Sequence, residues 1–329
     1  MKTFLRGVAF VIYVVVACAV GGEIVVRGLY DSFRNYNMEM WRYASDLKKP
    51  LDRENLPFHH WPNKRGTYYG AEIATNSLGF RDGGVEAPKP SDEQRVVFIG
   101  DSFTLGWGVE SDETFSSELE RLLNRGAGGY RTINMGVGNY NTIMEVELFK
   151  WKGLELDPDL VILMYFVNDV EAVPARKSAL GYALVKHSYF SAFLFDRFTR
   201  LRSRLMEARR WNEYYAALYS SENAGNVEAN AKSTNELIAL CGQRGTGLLI
   251  VSIPDLHQLE DYPFTYATEH IRALAEAGGV PFLDLRPALA GYEPQTLWVS
   301  PEDHHANVMA NGVIAEQIYG TIQSEGLLH

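Results

Sequence analysis

Four short stretches of this 329-residue chain carry side chains that could do chemistry. Gly100-Asp101-Ser102 sets a serine immediately after the apolar run at residues 95–99. At a strand-to-helix turn its hydroxyl projects from the sheet edge, and helical N–H groups face an incoming oxyanion. Residues 134–142 (NMGVGNYNT) hold two glycines, Gly136 and Gly138, that let backbone N–H groups approach a ligand. Val167-Asn168-Asp169 offers a side-chain amide donor, and residues 302–307 (EDHHAN) place an acid two residues ahead of a histidine. Each signal is weak alone. Ser102 by itself reads as a helix cap, Asn168 as a turn residue and Asp101 as a turn or helix-terminus residue.

The weight lies in where these stretches fall. Residues 95–99 read as a strand, followed by a helix over 113–124 with Phe115, Leu119, Leu122 and Leu123 at helical spacing. Residues 132–135 read as a second strand, followed by a helix through Ile143, Val146, Phe149 and Lys150. Residues 159–166 make a third, with the continuous apolar character of a strand buried on both faces. Residues 248–253 and 281–285 supply the fourth and fifth, and 308–322 a closing amphipathic helix. Strand and helix alternating in this way predict an α/β fold, a parallel sheet covered by helices on both faces. Ligands in such folds bind at the carboxyl ends of the strands, so the four stretches converge on one edge of one sheet.

In order and strand placement these stretches resemble the four blocks of the SGNH, or GDSL, hydrolase family, from about residue 95 to the end. The resemblance implies a three-layer α/β/α, flavodoxin-like domain with a five-stranded parallel sheet. It also implies Ser102 as nucleophile, His305 as general base and Asn168 as amide oxyanion donor. The orienting acid shortly precedes the histidine: Asp303, at Asp-x-His spacing, is preferred, and Glu302, to which Asp-x-x-His spacing points, is the alternative. Of the adjacent histidines, His305 fits a His-x-Asn pattern with Asn307, which can cap the last helix, and His304 is the alternative. The remaining oxyanion donors are the Ser102 N–H and a backbone N–H of the second block, at Gly138 or Asn139. Two positions depart from the family pattern. Asn139 stands at the usual oxyanion glycine, and Phe166-Val167 stands where a glycine is usual before Asn-Asp. A backbone donor survives the first exchange, because Asn tolerates left-handed geometry. Residues 75–82 (TNSLGFRD) also look like a segment preceding the catalytic domain in membrane-anchored bacterial members.

The N-terminus adds a separate element. After Lys2 and Arg6, residues 7–22 carry no charge, and the apolar character continues beyond Glu23 through Val26. A helix needs about 20 such residues to cross the hydrocarbon core. Three readings compete: an uncleaved anchor, a lipoprotein with Cys18 lipidated at residues 15–18 (VVAC), and a signal peptide cleaved at Ala17-Cys18-Ala19. The anchor is favoured, because the apolar stretch passes both sites and ends in Arg27, with Tyr30, Phe33, Tyr36 and Trp41 as interfacial residues. Lys2 and Arg6 then place the N-terminus in the cytoplasm, and everything after about residue 28 in the periplasm or outside the cell, as for a single-pass bacterial inner-membrane protein.

The expected organisation is an anchor at 1–28, a stalk and extension at 29–90 and a hydrolase domain at 91–329 with a helical insertion at about 170–245. The insertion alternates aromatics with Arg197, Arg200, Arg202, Arg204, Arg209 and Arg210. It reads as an amphipathic helix with a solvated basic face, or as a surface leaning on anionic lipid or a membrane-protein partner. A net charge of -10 argues against nucleic acid as the partner. No Walker loop or dinucleotide fingerprint is present, and no cofactor is expected. No metal is expected either, since His59-His60 have no carboxylate or cysteine at ligand spacing. His257, after Pro254-Asp255, reads as a loop residue near the end of the fourth strand. Cys241 reads as buried, and with Cys18 it makes no disulfide framework. The expected function is hydrolysis of acyl esters, O-acetyl groups on polysaccharide being the leading substrate. Its rivals are an O-acetyltransferase using the same triad and a non-catalytic scaffold of a membrane complex.

Overall fold

The computed structural model describes residues 2–29, 35–86, 88–126, 128–174, 188–205 and 211–328. Tyr30, Phe33, Arg209 and Arg210 lie outside the described residues. The chain forms two compact units, Met1–Asp46 with Arg176–Ala208, and Leu47–Ala175 with Arg209–His329.

The first unit holds α1 (Lys2–Leu29), most of α2 (Tyr36–Leu47) and α6 (Tyr189–Leu205). Within α1, Phe4–Leu29 is one helix long and apolar enough to cross a membrane by length and composition, with a mean hydropathy of 2.4. Its one carboxylate, Glu23, serves the start of α6. The side chain accepts hydrogen bonds from the backbone N–H groups of Tyr189 (3.2 Å) and Phe190 (2.9 Å) and from the Ser188 hydroxyl (2.9 Å). The two N–H groups are donors that an α-helix leaves without intrahelical partners. Gly22 lets the Phe190 ring approach, since a Cβ there would lie 2.5 Å from it.

The second unit begins with an extension of two small antiparallel pairs. β1 (Lys48–Pro50) pairs with β2 (Phe58–His60), and β3 (Arg65–Tyr68) with β4 (Ala71–Ala74). The order then becomes β5 (Gln94–Gly100), α3 (Ser102–Leu105), α4 (Phe115–Leu123), β6 (Tyr130–Asn134), α5 (Thr142–Trp151) and β7 (Leu160–Tyr165). After the insertion come α7 (Trp211–Leu218), α8 (Ala224–Arg244), β8 (Gly247–Ser252), α9 (Thr265–Ala277), β9 (Phe282–Asp284) and α10 (Arg286–Leu289). The chain closes with β10 (Trp298–Ser300), β11 (Asp303–Ala306) and α11 (Val308–Glu325).

Five parallel strands form one sheet in the order β6-β5-β7-β8-β9, with helices on both faces. Successive strand residues point to opposite faces, so each strand feeds two cores. Val96, Phe98, Ile162, Met164, Leu249 and Val251 pack with Phe115 and Leu119 of α4 and Ile314 and Ile318 of α11. Val97, Ile99, Val161, Leu163, Leu248 and Ile250 pack with Val146 and Phe149 of α5, Leu237 and Cys241 of α8, and Ile271 of α9. Burial on both faces is what the unbroken apolar run of the third strand demands. β10 and β11 stand outside this sheet as a bulged antiparallel pair. The sequence pattern does not announce them, because three- and four-residue strands are too short to show a period.

Candidate active site

Three neighbouring strands, β6, β5 and β7, end side by side, and each hands the chain to one stretch of the site. At the end of β5, the Asp101 carboxylate accepts the Phe103 N–H (2.8 Å) and caps α3, while Gly106 closes that turn with φ +79°. Ser102 is thereby held at the head of a single tight turn. After β6, the Asn134 side chain accepts the Gly136 N–H (2.9 Å) and donates to the Thr104 carbonyl (2.6 Å). Gly136 packs so closely on α3 that a Cβ would lie 2.2 Å from the Leu105 nitrogen. After β7, Asp169 accepts the Phe166 N–H (3.1 Å), and Asn230 donates to the Asp169 carbonyl (3.0 Å), which fixes the turn carrying Asn168.

The fourth stretch comes from β11. His305 Nε2 lies 2.8 Å from Ser102 Oγ, and His305 Nδ1 lies 2.5 Å from Asp303 Oδ1. The same carboxylate oxygen accepts the His305 backbone N–H at 3.2 Å, and Asp303 Oδ2 accepts the Trp107 indole N–H at 2.7 Å. Burial opposes charge on both members of the Asp303–His305 pair. Their mutual attraction outweighs it: Asp303 is held below the usual carboxylate range and His305 above the usual histidine range.

Among the described residues, the backbone N–H groups of Ser102 and Asn139 and the Asn168 side-chain amide nitrogen have no hydrogen-bond acceptor. Asn139 adopts φ +63°, the left-handed geometry that a glycine would supply at that position. An Oγ bonded to an imidazole, an imidazole bonded to a carboxylate and unused donors at adjacent strand ends can together carry out acyl transfer through a serine ester.

The other candidates sit elsewhere. Glu302 is exposed, with Oε2 3.4 Å from Ser300 Oγ. The His304 ring packs against Trp298 (centroids 4.2 Å apart) and His257 (3.5 Å). Gly138 directs its carbonyl to Lys48 Nζ at 2.6 Å. His59 and His60 are buried and bond the carbonyls of Leu78 and Gly79, each at 3.1 Å. Burial pushes His59 down to about 3 and His60 in the same direction, so both rings stay neutral. Behind the Ser102 turn, burial raises Asp101 to about 6 and pushes Glu145 and Asp169 upward, each reinforced by neighbouring carboxylates.

A family model described as GDSL-like Lipase/Acylhydrolase family matches residues 98–310, from within β5 to within α11. The chain belongs to that family. It is accordingly an enzyme of the carboxylic ester hydrolase class. No curated protein matches the chain. Solved structures similar to this acylhydrolase include the acetyl xylan esterase AlAXEase, at 17% identity over 69% of this chain and 99% of that one, with a TM-score of 0.45. TesA matches at 14% identity over 71% of this chain and 100% of its own, with a TM-score of 0.47. A mutant of Axe2, an acetyl-xylooligosaccharide esterase from Geobacillus Stearmophilus, matches at 17% identity over 71% and 96%, with a TM-score of 0.46.

Two features in and beside the candidate site carry weak sequence signals or none. Trp107 becomes a partner of Asp303 only through the fold, 196 positions apart in the chain. Asp255 and His257 repeat the Asp-x-His arrangement, with Nδ1 to Oδ1 at 2.7 Å and the His257 N–H on the same oxygen at 2.9 Å. The second pair is legible as a repeated spacing, although His257 there stacks on Trp211 (4.5 Å, 18°) rather than reaching a hydroxyl. Trp107→Phe keeps the ring beside Tyr69 but removes the indole donor from a buried carboxylate. The expected cost is a fall in kcat/KM of about 10- to 100-fold, the range for a hydrogen bond to a charged group. Steady-state kinetics on an activated acetyl ester check it.

Proposed function

We propose that this chain is a membrane-anchored serine esterase in which Ser102 is the nucleophile, His305 the general base and Asp303 the orienting acid. The observation that carries this reading is the unbroken hydrogen-bond path Ser102 Oγ–His305–Asp303, at 2.8 and 2.5 Å. Asp303 accepts from His305 Nδ1, which leaves the Nε2 lone pair for the serine proton. As Oγ attacks the ester carbonyl, that proton passes to Nε2. The oxyanion takes hydrogen bonds from the Ser102 N–H, the Asn139 N–H and the Asn168 amide. One such donor is typically worth roughly 3 to 4 kcal/mol. Collapse breaks the C–O bond of the leaving alcohol, which receives the proton from His305. Water then attacks the acyl-serine, His305 takes its proton and returns it to Ser102 Oγ, and a carboxylic acid leaves.

Against the scaffold rival, Asn139 in the place of the usual glycine leaves a left-handed turn whose N–H has no acceptor among the described residues, the feature an oxyanion hole needs. The substrate we propose is an O-acetyl group on a cell-surface or secreted polysaccharide, in keeping with the family and with an outward-facing domain. Incubation with an acetylated glycan and a second, unacetylated glycan tests the outcome. Free acetate supports hydrolysis, whereas label appearing on the second glycan makes the protein a transferase.

The apolar α1 is proposed as an uncleaved anchor, supported by the use of Glu23 and Gly22 in holding α6. Leu194, Phe195 and Phe198 of α6 are exposed, an apolar surface suited to a bilayer interface. The full chain is expected in the membrane pellet after an alkaline carbonate wash, with an intact mass that includes Met1 or lacks only that residue. A mature N-terminus at Val20 would mean a cleaved signal, and a lipidated N-terminal Cys18 a lipoprotein.

A further inference from the structure

We propose that Lys48 is a positioning residue of the oxyanion hole, acting through the peptide bond between Gly138 and Asn139. This rests on the esterase reading above. Lys48 opens β1, in the extension, and lies outside the stretch that the family model matches. The residue is buried, 7% exposed. Its Nζ donates to the Gly138 carbonyl oxygen at 2.6 Å and to Asn139 Oδ1 at 2.8 Å, and it stands 4.3 Å from the centre of the Phe58 ring.

The Gly138 carbonyl and the Asn139 N–H are the two ends of one peptide unit. A cation bonded to the oxygen draws electron density toward that end, which makes the N–H at the other a stronger donor. The second bond holds the Asn139 carboxamide and so fixes the left-handed turn, at φ +63°, that aims this N–H. Tyr140 secures the next residue, its hydroxyl donating to the Phe58 carbonyl of β2 at 2.5 Å. The extension therefore grips the oxyanion turn at successive residues. The same contacts give a physical use for asparagine where the family has glycine: its side chain supplies a second acceptor to the buried ammonium, and glycine has none.

The test uses the full-length protein in detergent, reading both the rate of fluorophosphonate labelling of Ser102 and the steady-state hydrolysis of p-nitrophenyl acetate. Lys48→Met is expected to slow labelling and lower kcat by about 10- to 100-fold, with KM within about 2-fold, as for loss of oxyanion stabilisation. Lys48→Arg should recover part of both rates, because a guanidinium reaches the same carbonyl. In an Asn139→Gly background Lys48→Met should still lower kcat, because the Gly138 carbonyl remains. The role is overturned if Lys48→Met leaves both rates within 2-fold, if it raises KM alone, or if the loss matches the unfolded fraction in a thermal melt and Lys48→Arg restores nothing. Ser102→Ala separates the two readings. If it still hydrolyses the ester, or if wild-type Ser102 does not label, the esterase reading fails and this inference with it. If it is inactive while Lys48→Met behaves as wild type, the role of Lys48 alone fails.

Discussion

Ser102→Ala is expected to lower kcat on an activated acetyl ester by roughly 10⁴- to 10⁶-fold, the scale on which removing a serine nucleophile acts in triad hydrolases. It should also abolish fluorophosphonate labelling. Among the described residues, the other hydroxyls near the turn are engaged or buried elsewhere. Thr104 is buried in α3 and Ser116 hydrogen-bonds Thr114 and Asn134, so neither hydroxyl is placed beside His305. The residual rate should come from the oxyanion donors and substrate binding, which the substitution leaves in place. The fold should survive, because the Ser102 turn is fixed by the Asp101 cap and by Gly106 rather than by the hydroxyl. A circular dichroism melt close to wild type, with activity gone, separates loss of chemistry from loss of structure. Wild-type turnover in the purified variant would remove Ser102 from the mechanism, whereas a wild-type protein that neither turns over the ester nor labels at Ser102 would favour the scaffold reading.

The sheet was legible in the sequence because its information is local: strand-like runs of four to eight residues, turn residues at their carboxyl ends and helical periods between them. The family blocks added which strand end carries which group, and the Ser102–His305–Asp303 path follows that order. What could not be read is what arises from contacts across the chain. Lys48 and Asn139 are 91 positions apart, and no pattern around Lys48 distinguishes it from Lys49, which alternates to the other side of the strand. Trp107 reads as a core aromatic until the fold places its indole N–H on Asp303. The partition of the insertion is of the same kind. Residues 188–205 fall with the apolar N-terminal helix and those from 211 onward with the sheet. A charge pattern that continues across that boundary gives no sign of it.

The choice between Asp303 and Glu302 gives the second large effect. Asp303 is surrounded by donors: His305 Nδ1–H and backbone N–H on Oδ1, and the Trp107 indole N–H on Oδ2. Asparagine at this position must turn its NH₂ group toward one of them. Facing Trp107, it sets donor against donor in a buried site. Facing His305, it requires Nδ1 to accept, so the ring proton moves to Nε2, where the base needs a lone pair. In either orientation the charge that stabilises the imidazolium is gone. Asp303→Asn is therefore expected to lower kcat by about 10⁴-fold, as a wrong tautomer does in other triads. Glu302→Gln, exposed and weakly bonded to Ser300, should stay within about 2-fold. The pH profile adds a sign. With the neutral imidazole as the proposed base, kcat/KM is expected to rise with pH through the His305 pKa, which Asp303 holds above the ordinary 6.5. Wild type should therefore show an acid limb centred above 6.5, and the residual activity of Asp303→Asn a limb displaced to lower pH. An unchanged limb in Asp303→Asn, or a 10³-fold loss in Glu302→Gln, would move the orienting role from Asp303 to Glu302.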